Sequence, residues 1–207
     1  MNELKPTGKF ESHGIHPFIR KPKYIDASEL ASALRESSES NSEFLDWAYR
    51  SKYADRTKCL RIIQGDIRAK EPFTTYYVFD KSKVIGTTSF GEANQINGIQ
   101  ITYWVRKSYQ NKGIGKWLFE EMRDHAFYVL KYDFVELHTD SANQGSQALA
   151  LGAGGQEWFR YNYETSAWGA SGEMIVWGID HPAIKFERKL NKTIVGNLHR
   201  PSYGSLG

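Results

Sequence analysis

Between Gly98 and Lys131 the sequence commits to a strand, a glycine-rich turn and a long amphipathic helix, in that order. In Gly98 to Val105, Ile99, Ile101, Tyr103 and Val105 alternate with Gln100, Thr102 and Trp104, as on a strand with two unlike faces. From Ile114 onward Trp117, Leu118, Met122, Ala126, Val129 and Leu130 follow the period of a helix packed on one side. The turn between them, Gln110 to Lys116, leaves several backbone N–H groups unpaired at the positive end of the helix dipole. That arrangement is an anion site, most naturally for phosphate.

Glycine spacing sorts the known phosphate loops. A Walker loop needs glycine five residues before the Gly-Lys pair and Ser or Thr after it, where this chain has Gln110 and Trp117. A dinucleotide fingerprint needs a third small residue where Leu118 stands. What is left is Gln-x-x-Gly-x-Gly, whose meaning depends on its context.

At 207 residues the length fits one domain able to bury about 70% of its unfolded surface. With 40% hydrophobic and 25% charged residues it reads as a soluble globular chain, and no apolar run approaches the ~20 residues that span a bilayer. Met1 to Lys9 is polar, unlike a signal peptide, so the cytoplasm is the expected location. The single cysteine, Cys59, lies among Leu60, Ile63 and Ile67 at helical spacing and reads as a buried thiol. Residues 181–207 carry net +4 while the rest nets −1, so a basic C-terminal extension offers contact with nucleic acid, an acidic partner or another subunit.

Residues 1–16 read as an N-terminal arm, and His13 and His16 there lack a third ligand, so no metal is expected. Phe18 to Lys21 is a first strand. Asp26 and Glu29 suggest a capping box for a helix with Ala27, Leu30, Ala31 and Leu34 on one stripe, broken by the serines from Ser37 to Ser42. Phe44, Leu45 and Ala48 suggest a second short helix, and Cys59 to Ile67 a third. A meander follows: Thr74 to Phe79, a turn at Asp80 to Ser82, Lys83 to Phe90, and Gly98 to Val105. Beyond the long helix come a strand at Phe134 to Thr139, a helix at Asn143 to Leu151, and strands at Trp158 to Tyr163 and Glu173 to Gly178.

This order resembles the GNAT acetyltransferases over about Pro17 to Asp180, and most closely their ribosomal-protein N-terminal acetyltransferase (RimJ/RimL-like) branch. The marks are Phe44-Leu45-Asp46-Trp47, Ile85-Gly86, Tyr103-Trp104-Val105 leading into Tyr109 to Gly115, Val135-Glu136-Leu137, and Asn143 followed by Ser146. The resemblance implies an α+β, α/β/α sandwich: a mixed, mostly antiparallel sheet of six to seven strands, splayed between the fourth and fifth and flanked by helices. Residues 17–180 would form the acetyltransferase domain. It implies acetyl-CoA as donor, its pyrophosphate on Gln110, Asn111, Lys112, Gly113, Ile114, Gly115 and Lys116, with the two lysines adding charge. Its pantetheine arm would pair with Tyr103, Trp104, Val105 and Arg106, steadied by Asn143 and Ser146. A backbone N–H near Trp104 would polarise the thioester oxygen during direct transfer, without an acyl-enzyme.

Two positions depart from the family pattern. Gln100 stands where many members carry a glutamate base, and Ala148 where many place a tyrosine acid. Ser146 or a water then has to serve as acid, and His138 is the nearest titratable candidate for base. An α-amine with a pKa of ~7.7 to 8.0 is partly neutral at pH 7, whereas a lysine at ~10.4 costs roughly 3 to 5 kcal/mol to deprotonate. A weak base therefore favours a protein or peptide N-terminal amine. The alternatives are a small amine or aminoacyl-tRNA, or a binding module on a GNAT scaffold with reduced catalysis, as monomer or homodimer. Trp158, Phe159, Tyr161 and Tyr163 would line the acceptor groove, whereas Glu92, Glu157 and Glu164 read as solvated.

Overall fold

The structure, a computed structural model, describes residues 3–4, 10, 12–41, 43–94 and 97–184. The basic extension from residue 185 onward and much of the N-terminal arm lie outside the described residues.

A mixed sheet of eight strands forms the middle layer: β1 (Glu3–Leu4), β2 (Pro17–Arg20), β3 (Thr75–Asp80), β4 (Lys83–Glu92), β5 (Gly98–Val105), β6 (Phe134–Asp140), β7 (Gln156–Asn162) and β8 (Glu173–Asp180). Their spatial order is β1-β2-β3-β4-β5-β6-β8-β7, with antiparallel pairing except between β5 and β6. The short Glu3–Leu4 strand adds an eighth member to the six or seven expected, so the expected fourth and fifth strands are β5 and β6.

Helices α1 (Ala27–Asn41) and α2 (Arg56–Arg68) cover one face, and α3 (Ile114–Asp124) and α4 (Gln144–Gly152) serve the other. Strand alternation supplies both cores. Tyr77, Phe79, Val84 and Trp104 pack with Leu30, Leu34, Cys59 and Ile63 on the first face. Ile85, Ile99, Ile101 and Val105 pack with Ile114, Leu118 and Met122 on the second. Among the described residues no helix is long and apolar enough to cross a membrane.

Three local expectations are corrected. Asp26 does not cap α1 with Glu29 as partner. It ends a short 3-10 turn (Tyr24–Asp26), accepts from the Lys23 N–H at 2.7 Å and forms a two-pronged ion pair with Arg20. The serines do not break α1, which continues to Asn41, because Ser38 and Ser40 return their hydroxyls to backbone carbonyls three residues earlier and the buried Ser37 accepts from the Lys107 N–H. The residues after Leu45 form a 3-10 stretch, Asp46–Tyr53, rather than an α-helix. The long helix also changes hand-hold at its end: His125–Val129 is a π-turn, closed by the Leu130 N–H on the His125 carbonyl at 3.0 Å.

Candidate active site

Strands β5 and β6 pair in parallel for only three residues, Gly98 to Gln100 against Phe134 to Glu136. Beyond them β5 stays with β4 and β6 stays with β8, so Ile101 to Val105 and Leu137 to Asp140 diverge around a cleft of about 560 Å³. The cleft is lined from both sides of the split, among others by Gln100, Tyr103, Val105, His138, Asn143 and Ser146.

Backbone parity fixes which groups of β5 look into the split. The Arg106 N–H donates to Ile85 O at 2.8 Å, and Thr102 O accepts from the Thr88 hydroxyl, so the peptide groups of the even residues turn toward β4. Since the N–H and C=O of one strand residue point the same way, those of Tyr103 and Val105 turn to the open side. Val105 O there accepts from the Gln110 side-chain amide at 2.9 Å. The donor near Trp104 is therefore the N–H of Tyr103 or Val105, not that of Trp104 or Arg106.

Arg106 has another occupation. Its guanidinium is buried and bound to Glu36 at 2.6 Å, Ser32 at 3.1 Å, Val84 O at 3.2 Å and Glu29 at 3.5 Å, which ties α1 to the end of β5. Burial opposes the Glu36 charge, but hydrogen bonds from Ser108 and Arg106 outweigh it and hold this carboxyl below its ordinary value.

The glycine-rich turn takes the form its sequence suggests. Asn111 has φ +59° and Gly113, the residue before α3, has φ +84°, a left-handed conformation that glycine adopts without a Cβ clash. The first helical bond of this turn runs from the Trp117 N–H to Gly113 O, and no side chain caps the helix start, so its first N–H groups are left for a ligand. Gln110, Asn111 and Gly115 line the cleft, while Ile114 is buried in the core beneath. The two lysines do not line it: Lys112 Nζ folds back to Ser108 O at 2.7 Å, and the exposed Lys116 lies 3.9 Å from Glu120.

Opposite β5, Asn143 caps α4 by accepting from the Ser146 N–H at 3.0 Å. Asp140 holds the turn before it, accepting from the N–H groups of Ala142 and Ser171 and from the Tyr163 hydroxyl. Burial works to raise the Asp140 pKa, yet these hydrogen bonds prevail and lower it. Tyr103 and Ser146 both line the cleft, and burial pushes the Tyr103 phenol above its ordinary value. Ala148 is exposed and does not line the cleft; one helical turn presents Ser146 and Leu149 instead, so a side chain at 148 would point away.

On the face turned to α1 and α2, Gln100 pairs in register with Glu136, and His138 follows two residues along. Glu136 is fully buried and accepts from Asn94 N at 3.1 Å, Asn94 Nδ2 at 2.9 Å and His138 Nε2 at 2.8 Å. The other ring nitrogen of His138 lies 3.5 Å from the Tyr161 hydroxyl. Burial and the Glu136 charge push the Tyr161 phenol above its ordinary value. Glu136 belongs to this cluster although its sequence motif carries no site role; its signal is the alternation along β6, which sets the polar Glu136 and His138 on one face and the apolar Val135 and Leu137 on the other. Of the four aromatic residues expected along the groove, Tyr161 and Tyr163 line it, whereas Phe159 does not and Trp158 packs edge-on against Phe134 instead.

A second cavity, of about 660 Å³, lies between this face and the α1–α2 layer and shares Leu45, Thr102, Tyr103 and Trp104 with the cleft. Its walls include Leu30, Leu34 and Ile62, and its polar end includes Asp66, which accepts from the Tyr77 hydroxyl at 2.8 Å. Cys59 is fully buried away from both, with burial pushing its thiol up to about 11. Among the described residues no group of three or more His, Cys, Asp or Glu is placed to hold a metal ion.

The model of the acetyltransferase (GNAT) domain matches residues 18–156. Mycobacterium smegmatis RimJ, solved in complex with a CoA disulfide, superposes with a TM-score of 0.73 at 17% identity, over 95% of this chain and 98% of that one. The ribosomal alpha-N-protein acetyltransferase RimL, solved with coenzyme A, gives 0.70 at 17% identity, over 84% and 99%. The microcin self-immunity acetyltransferase MccE, solved with acetyl-CoA and AMP, gives 0.71 at 16% identity, over 86% and 99%. At such identities the likeness to these structures is one of fold. No curated protein matches the chain.

Proposed function

Because the chain belongs to the GNAT acetyltransferase family and has that family's acetyl-CoA-dependent activity, we propose that it acetylates the α-amine of a protein or peptide N-terminus. The observation that carries this reading is the base available on the acceptor side. Gln100 cannot take a proton and Asp140 has its oxygens occupied by hydrogen bonds; of the other titratable residues lining the cleft, Glu43 among them, His138 is the nitrogen base, and its Nδ1 lacks a firm partner. An imidazole, which ordinarily titrates near 6.5, matches an α-amine far better than a lysine.

In this reading residues 17–180 are the catalytic unit. Acetyl-CoA lies with its pyrophosphate on the N–H groups from Asn111 to Lys116, its pantetheine along the open edge of Tyr103 and Val105, and Asn143 and Ser146 opposite. The Val105 or Tyr103 N–H polarises the thioester oxygen as negative charge develops there. His138 takes a proton from the acceptor ammonium, the neutral amine attacks the thioester carbon, and the C–S bond breaks. As the thiolate departs, the nitrogen of the new amide gives its extra proton to the Ser146 hydroxyl, which passes its own proton to the sulfur and so ends unchanged. The α1–α2 cavity beside Trp104 has room for the first residues of a peptide. A cytoplasmic setting suits the one buried thiol.

A second reading, a small-molecule amine as acceptor, is supported by the same cavity, whose size falls in the range of small-ligand pockets. Turnover of acetyl-CoA with N-terminal peptides, polyamines and charged tRNA separates the two. Peptide turnover exceeding the others by tenfold or more is expected. Acetyl-CoA binding by calorimetry without turnover of any amine would point to a binding module instead.

A further inference from the structure

Glu136 is an odd residue for the middle of a sheet. It is fully buried, and among the described residues no lysine or arginine forms an ion pair with it. A buried carboxylate is costly unless it is paired and hydrogen-bonded, and an apolar side chain would serve a purely structural position better. Its partners are the backbone and side-chain N–H groups of Asn94, from the loop between β4 and β5, and the Nε2 of His138 at 2.8 Å. Nothing in that set neutralises its charge unless His138 carries a proton.

We infer that Glu136 is the positioning residue for His138: its carboxylate accepts the Nε2–H, which fixes the tautomer, turns the Nδ1 lone pair to the cleft and supplies the counter-charge for the imidazolium. The inference rests on the reading of His138 as the base. In the Nε2–H tautomer the 3.2 Å approach of Asn94 Nδ2 to Nε2 joins two donors, so the Asn94 amide hydrogen goes to Glu136 Oε2, at 2.9 Å. Nδ1 has only the Tyr161 hydroxyl at 3.5 Å, too long for a firm hydrogen bond. Parallel pairing of Gln100 with Glu136, and the two-residue repeat of a strand, bring Gln100, Thr102 and Trp104 to the same face as Glu136 and His138. The base therefore looks to the side of the split that holds the α1–α2 cavity.

The groups facing His138 are few. From β6 there are Glu136 and Asp140, whose oxygens are taken by Ala142, Ser171 and Tyr163; from β7 there is Tyr161; from the β4–β5 loop, Asn94; from β5, Gln100. In the step, an N–H bond of the acceptor ammonium breaks and an Nδ1–H bond forms. The positive charge moves from the amine to the imidazolium, and the carboxylate stays ionised throughout. Gln100, where a carboxylate would have acted directly, leaves that work to the histidine behind which Glu136 stands.

The test uses the full chain and two kinds of measurement. Nitrogen-resolved NMR of the protein without acceptor is expected to show neutral His138 as the Nε2–H tautomer. In Glu136→Gln its titration midpoint is expected to move to lower pH by about one unit, the size of effect an adjacent charge exerts. In kinetics, the acid limb of kcat/KM is expected to move in the same direction while KM for acetyl-CoA stays within twofold. Adding Glu136→Gln to His138→Ala is expected to cost no further activity, since Glu136 acts only through the ring. Glu136→Asp, which keeps the charge, is expected to restore the limb toward the native position, and it serves as the probe should the glutamine variant fail to fold. An Nδ1–H tautomer, an unmoved midpoint, or additive losses in the double variant would overturn the inference. Absence of turnover on every amine would refute the acceptor reading, whereas the tautomer and the titration would still decide the link between Glu136 and His138.

Discussion

Replacing Gly98 with alanine tests how tightly the paired end of β5 and β6 is closed. A Cβ on Gly98 would stand 1.9 Å from Cε2, 2.2 Å from Cζ and 2.6 Å from Cδ2 of Phe134. Carbon atoms in contact sit at about 3.5 to 4.0 Å, so the ring has to withdraw by roughly 1.5 to 2 Å. It has little room to do so. Phe134 is buried and meets Trp158 edge-on, with ring centroids 5.0 Å apart, and Trp158 itself lies over Gly178 where a Cβ would come within 1.8 Å. Overpacking of this kind costs about 1 to 3 kcal/mol, and the blocked retreat argues for about 2 to 3. For a chain of this length that lowers Tm by roughly 5 to 10 °C. Equilibrium urea unfolding and a thermal scan by circular dichroism measure it.

The partner substitution Phe134→Leu makes the argument specific. By itself it removes buried ring atoms and destabilises, but in the Gly98→Ala background it makes space for the new methyl. The double variant is expected to be more stable than the sum of the single losses by at least about 0.5 kcal/mol, the scale on which contacting residues couple. Acetyl-CoA affinity should stay within twofold, because neither residue lines the cleft. A Gly98→Ala protein as stable as the parent, or strictly additive losses, would refute the packing account.

Two further perturbations read the surroundings of the site. Asp140 has a depressed pKa, so its contribution is present above the unfolded value near 3.9 and lost as pH falls through the folded one. Asp140→Asn should cost about 1.5 to 3 kcal/mol at pH 7 by urea unfolding, with the gap from the parent narrowing below about pH 4, and a gap independent of pH would contradict it. Cys59, buried with its thiol pushed up to about 11, should react at pH 8 with a soluble thiol reagent roughly 100-fold more slowly in the native protein than in urea, and equal rates would show that the thiol is accessible.

The strand–turn–helix unit was legible because each part has its own local signature: period two in β5, left-handed turn residues at Asn111 and Gly113, and helical period from Ile114. What the sequence hid depends on partners far along the chain. Glu136 is held by Asn94, 42 residues away, and Arg106 by Glu36, 70 residues away, so neither charge announces its burial locally. Ser37 to Asn41 look like a breaker in composition, yet their hydroxyls found carbonyls one turn back and a loop N–H across the fold. The family pattern sets the tyrosine position at Ala148 by distance along the chain, and distance does not say which side of α4 faces the split. The helical step sets Ser146 and Leu149 there and sends Ala148 outward.

The cleft and the α1–α2 cavity share one wall, Thr102 to Trp104, and that wall has two kinds of surface. Its main chain turns one way and its side chains another, so in the proposed placement of acetyl-CoA the groups meeting an unchanging donor are those that mutation does not alter. The side chains of Thr102 and Trp104, by contrast, can be exchanged without rewriting the N–H groups of Tyr103 and Val105. With donor and acceptor placed as proposed, such a division lets a lineage diversify its acceptors while inheriting its donor, and Thr102 and Trp104 are then the positions at which to begin when redirecting this enzyme toward another amine.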